Sequence, residues 1–167
     1  AMLGMEAGDV EESVDDGFLA EGDEGIGATI MGRNMFGPIR GDWPDESWQG
    51  WWGDEPPYHH PVFVLTHYPR PDLVMQGTTF HFVTGSIESV LVKAQEAANG
   101  RDIRLGGGVA TIQQYLRAGL VDSLHIAVAP VLLGSGERLF DASAAASYSV
   151  VETIGSTAVT HYRLSRV

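Results

Sequence analysis

IRLGGGVATIQQYL, residues 103–116, carries three signals in one short run. Ile103–Leu105 reads as a short buried strand. Gly106, Gly107 and Gly108 follow, and a helix is expected from about Val109 to Ala118, stopping at Gly119. Consecutive glycines after a strand let the backbone approach a ligand closely. A helix starting there turns unpaired N–H groups and its positive dipole end toward an anion, and Thr111 adds a hydroxyl. The same residues also read as a plain strand-to-helix turn. The spacing matches neither G-x-G-x-x-G nor a Walker A loop, so neither a Rossmann nor a P-loop site follows.

Outward from this stretch, strands and helices alternate. Ile26–Met31 (IGATIM), Pro61–Thr66 (PVFVLT) and Phe80–Val83 (FHFV) read as strands. Ser86–Asn99 reads as a helix, because Ile87, Val90, Leu91, Ala94, Ala97 and Ala98 recur at helical spacing ahead of Asn99-Gly100. Leu124–Val128 is a further strand, and Tyr148–Thr153 with Ala158–Leu164 suits an antiparallel hairpin. Near the N-terminus, Ser13 is a candidate cap for a short helix carrying Asp15, Asp16, Phe18 and Leu19. The pattern implies an α/β layered sheet, made mixed by its closing hairpin. Residues 37–61 form a long loop rich in Gly, Pro and acids, and Trp43, Trp48, Trp51 and Trp52 argue against disorder there. These tryptophans admit three roles: stacking on a planar heterocycle, a satellite core, or a dimer contact.

Two more strand ends carry polar groups. Gly32-Arg33-Asn34 follows the first strand, and Leu65-Thr66-His67, with Arg70 nearby, follows the second. Ligands of open α/β sheets gather outside the carboxyl ends of the strands, and the guanidinium fork suits phosphate. Three such ends together point to a ligand with several phosphates, and a dinucleotide is the natural one. Taken alone, Arg33 also reads as a surface arginine near the acidic arm, and Gly134-Ser135-Gly136, next to Glu137 and Arg138, as a tight turn. His59, His60, His67 and His81 lack the spacing of a metal site, so no metal is expected.

The chain has 167 residues and a net charge of −12, all of it within residues 1–55, where fourteen acids face only Arg33 and Arg40. Residues 56–167 are neutral overall. With Lys93 the single lysine, a basic footprint for nucleic acid or for anionic lipid is missing. No apolar run approaches the roughly 20 residues of a membrane span, and no signal-peptide pattern opens the chain. Cysteine is absent, which excludes disulfides, thiolate nucleophiles and Cys-ligated zinc. A soluble, cytoplasmic protein is expected.

Four ordered stretches carry a family resemblance: IMGRNMF (30–36), PVFVLTHYPRP (61–71), IRLGGGVATIQQYL (103–116) and LRAGLVDSLHIAVAPVLLGSGERLF (116–140). Together they resemble the dihydrofolate reductase-like fold, a three-layer α/β architecture with a mixed, mostly parallel central sheet and a C-terminal antiparallel hairpin. The last stretch is similar to the reductase domain of the riboflavin-biosynthesis bifunctional deaminase–reductase and its stand-alone bacterial relatives. The resemblance implies a homodimeric NADPH-dependent reductase of a pyrimidine- or pterin-type heterocycle, like 5-amino-6-(5-phosphoribosylamino)uracil reductase or dihydrofolate reductase. It implies that Gly32, Arg33 and Asn34 contact cofactor phosphates. Leu65, Thr66 and His67 would line the adenosine end and its 2′-phosphate, and Gly106, Gly107, Gly108, Val109, Ala110 and Thr111 would wrap the pyrophosphate. It also implies a cis peptide between Gly106 and Gly107.

The resemblance runs from about Asp15, giving an acidic arm over 1–14 and a reductase domain over 15–167. Relatives open with a central strand ending in a Ser-x-Asp-Gly-like turn, and nothing before Asp15 matches it. Losing that strand would leave two rows of unpaired backbone groups, so a rearranged sheet or a covering partner chain is expected. Asp16 stands at the offset from Gly32 at which dihydrofolate reductases keep the acid that assists protonation. It is a candidate catalytic acid, or simply an acid of the arm or of a helix N-terminus. A non-catalytic nucleotide-binding or assembly protein is the alternative function.

Overall fold

The computed structural model describes residues 13–141 and 147–167. The expectations placed on residues 1–12, an acidic arm without a first strand, lie outside the described residues.

Helix α1 (Val14–Asp23) starts at a reciprocal cap: the Ser13 hydroxyl accepts from the Asp16 N–H at 3.1 Å, and the Asp16 carboxylate accepts from the Ser13 N–H at 3.3 Å and from the Ser13 hydroxyl at 2.7 Å. Strand β1 (Ile26–Gly32) follows and is buried along nearly its whole length. It leads into a four-residue turn of helix, α2 (Arg33–Phe36). Then come β2 (Val62–Leu65), β3 (Leu73–Met75), β4 (Thr78–Val83), α3 (Ile87–Ala98), β5 (Asp102–Leu105) and α4 (Val109–Arg117). The chain ends in β6 (Ser123–Val128), β7 (Tyr148–Gly155) and β8 (Thr160–Arg166).

The first sheet has the order β3-β4-β2-β1-β5. β4, β2, β1 and β5 are parallel, and β3 pairs antiparallel with β4, which makes the sheet mixed. Alternate residues of β1 serve two cores, as the period of two requires. Ala28 and Ile30 face α3, whose Val90, Ala94 and Ala98 recur every fourth residue. Met31 faces Phe36, Val62, Val64, Phe80 and Phe82 on the other side. That second face is covered by the loop through residues 37–61 rather than by a long helix: Trp43, Trp48 and Trp52 pack against it. Of the three roles open to the tryptophans, these three therefore fill the satellite core, while Trp51 stays 57% exposed.

The C-terminal strands were expected to close the same sheet. Among the described residues they instead form a separate three-stranded antiparallel sheet of order β6-β8-β7, because β5 and β6 each end a sheet and do not pair with each other. Helix α1 bridges the two sheets. Its Asp23 pairs with Arg104 on β5 and its Glu21 with Arg163 on β8. Its Asp15 accepts a 2.6 Å bond from His161 Nε2, and His161 Nδ1 shares a 2.9 Å bond with His125 Nε2. Phe18 stacks on both imidazoles, with centroids 4.0 and 4.6 Å away. The bonds from His161 and Ser156 hold the Asp15 carboxyl below its usual range.

Candidate functional site

All four parallel strands end on the same edge, and a cleft of about 640 Å³ lies there. At the end of β1 it is lined by Gly32, Arg33 and Asn34; at the end of β2 by Leu65, Thr66 and His67; after β5 by Gly108, Val109, Ala110 and Thr111. Ten of the twelve expected cofactor-binding residues thus meet in one cavity. Gly106 and Gly107 are not among its lining residues. Gly106 N–H donates to Ile30 O at 2.8 Å, and Gly107 O accepts from Gly32 N–H at 2.7 Å, so both extend the pairing with β1. The cis peptide lies one residue later than expected, between Gly107 and Gly108. The chain leaves β1 only after Gly107, which is why the turn sits there.

Glycine leaves little room to spare where β1 meets α4. A Cβ on Gly32 would lie 2.3 Å from Thr111 Oγ1. The end of β1 therefore packs directly against the Thr111 side chain at the start of α4, and glycine keeps this part of the cleft free of a side chain, as a phosphate cradle demands.

Arg33 is the main electrostatic feature. It is only 9% exposed, and its Nε and Nη2 have no hydrogen-bond partner. Its guanidinium carbon lies 3.8 Å from the Trp43 ring centroid and 4.9 Å from that of Tyr68. Burial pulls its pKa below the ordinary value, and the nearby positive charge of Arg40 adds to this, while Tyr68 and Asp42 oppose it. A buried cation with unused donors at the wall of a cavity costs free energy unless an acceptor arrives there.

Several lining residues were not anticipated. Arg40 and Tyr68 border the cleft near Arg33, and Gly85, Ser86, Ile87 and Glu88 supply a fourth strand end, between β4 and α3. Its signal was present in the sequence: a strand, a glycine and the helix cap Ser86, whose hydroxyl accepts from Ser89 N–H. Gln114 and Glu137 also line the cleft. Glu137 belongs to the Gly134–Arg138 turn, held by a 2.6 Å bond from Gln113 Nε2 to Arg138 O. Asp16 is not a lining residue; its carboxylate is engaged in the Ser13 cap. His60 bonds Thr29 and His81 bonds Asp72, and no metal-binding cluster occurs among the described residues. No described helix is long and apolar enough to cross a membrane.

The family model for the RibD C-terminal domain matches residues 6–161. A riboflavin-biosynthesis protein, so assigned, from Shewanella sp. PV-4 is 25% identical, with a TM-score of 0.64 over 97% of this chain and 83% of its own. RibD of Acinetobacter baumannii (16% identity, TM-score 0.62) is matched over 90% of this chain and 49% of that one. The deaminase/5-amino-6-(5-phosphoribosylamino)uracil reductase of Thermotoga maritima (12%, 0.56) is matched over 89% and 48%. The chain therefore spans about half the length of these two proteins, and their likeness shows the fold. Among curated proteins none matches. The chain belongs to the RibD C-terminal domain family.

Proposed function

We propose that the chain is an NADPH-dependent reductase of a small pyrimidine- or pterin-type heterocycle, a riboflavin-pathway reductase-like activity. The observation that carries this reading is Arg33: a buried guanidinium with free donors, on a cleft bounded by four strand ends. Those residues fit a phosphate-bearing dinucleotide. Arg33 and Arg40 would meet its phosphates, and Thr66 and His67 its adenosine end. The glycine turn and the start of α4, with Thr111, would take the pyrophosphate. When bound, NADPH supplies a hydride from nicotinamide C4 to a C=N or C=O carbon of the substrate. This chain's part is to orient both molecules in the cleft. With Asp16 committed to its cap, the accompanying proton comes from solvent in the cleft.

Nucleotide binding without reduction is the second reading. It is favoured by the edges of β5 and β6, which are unjoined among the described residues, since in the resembled fold the first strand lines the substrate pocket. A spectrophotometric assay of NADPH oxidation with ribosylaminopyrimidines and pterins separates the two. Oxidation with one of them supports the reductase; binding without oxidation of any supports the second reading.

A further inference from the structure

The tryptophan-rich loop does more than cover the core. Trp43 is half-buried, and a guanidinium lies over its ring from each of two arginines: Arg33 at 3.8 Å and Arg70 at 4.9 Å. The two are spent differently. Arg70 donates from Nη1 to Trp48 O and from Nη2 to Glu46 O, both at 2.9 Å, and so staples the loop that carries Trp43. Arg33 keeps Nε and Nη2 free. The Trp43 indole N–H donates to Tyr68 O at 3.0 Å, joining the first aromatic ring over Arg33 to the second.

We propose that Trp43 is a positioning residue, through which the loop holds Arg33 ready for a phosphate group. An aromatic face stabilises a cation through its quadrupole and takes none of its N–H donors. A carboxylate in that place would fill the same donors and neutralise the charge, in direct competition with phosphate. In a chain with fourteen acids in its first 55 residues, that choice of partner keeps one buried arginine available. It also gives the loop's position in sequence, between β1 and β2, a purpose: the platform rises beside the strand end that bears Arg33.

This inference rests on the anion-binding reading of the cleft, so its test measures inorganic pyrophosphate as well as NADPH, by calorimetry. Trp43→Leu keeps apolar bulk and removes the ring face; it should weaken both ligands about tenfold. Trp43→Phe should recover most of that loss. The reduction step lies at the other end of the cofactor, so KM for NADPH should rise while kcat holds. The penalty of Trp43→Leu should vanish in an Arg33→Met background. Tyr68→Leu, at a partly exposed position, should act in the same direction more weakly. The melting temperature reports folding in each variant, and Tyr68→Leu carries the test if Trp43→Leu does not fold. Unchanged affinity in Trp43→Leu, or an equal loss with Arg33 already removed, would overturn the proposal. Wild-type protein that binds pyrophosphate but not NADPH would refute the cofactor reading while supporting the platform; binding neither would overturn both.

Discussion

Arg33 and His60 are both buried polar residues that flank strands of the parallel sheet, yet they are used in opposite ways. His60 is satisfied: it shares a 2.7 Å hydrogen bond with Thr29, itself fully buried. Burial, reinforced by Arg104 and Arg101, pushes its pKa down. As pH falls below the ordinary histidine value of about 6.5, the unfolded chain therefore takes up the proton first. The stability involved is fully present above that value and is lost as pH drops toward the lower folded pKa. His125 on β6 is displaced in the same direction, with burial the largest cause. Melting temperatures should decline from about pH 7 to about pH 5, and His60→Gln should flatten part of the slope. A slope identical to wild type would contradict this. Asp16 offers a second test: with its carboxylate in the Ser13 cap, Asp16→Asn should lower the melting temperature slightly and leave kcat unchanged. Arg33 was legible in the sequence as a polar residue just after a strand. Its state was not, because the rings that cover it come from positions 43 and 68.

At the scale of elements, the long strands and helices were legible because each carries an apolar run, an alternating pattern or a helical period. β3 and α2 were not. β3 has three residues, of which Val74 is 75% exposed, and α2 is a single turn. Neither length sustains a period. The separation of the sheets was equally hidden, because local patterning gives strands and not their neighbours. The glycine turn between β5 and α4 was read as a place where backbone could approach a ligand, and the tight contact seen beside it is made by Gly32 at the end of β1. Gly32→Ala would set a methyl 2.3 Å from Thr111 Oγ1. Overpacking of this kind costs about 1–3 kcal/mol, and it would also push apart two walls of the phosphate cradle. A lower melting temperature and weaker NADPH binding are expected, with both partly restored by adding Thr111→Ala. If Gly32→Ala melts and binds as wild type does, the cradle is not as tight as described.

Across the whole molecule, the charge of −12 is organised rather than spread. Three acids of α1 are matched by Arg104, Arg163 and His161 across the two sheets, so part of the acidic third serves to hold the sheets together. The cleft keeps Arg33 and Arg40, the only two bases of residues 1–55, on its wall. An anionic ligand must reach it against the net field, and its affinity should fall as salt screens the local attraction. The central claim is that this cleft binds a phosphate-rich dinucleotide through Arg33. The most direct measurement is a calorimetric titration of NADPH into wild-type protein and into Arg33→Met. The account predicts saturable binding to wild type and a loss of about tenfold or more in the variant, the size expected for a charge-assisted contact. Equal affinity in the two proteins, or no binding to wild type, would contradict it.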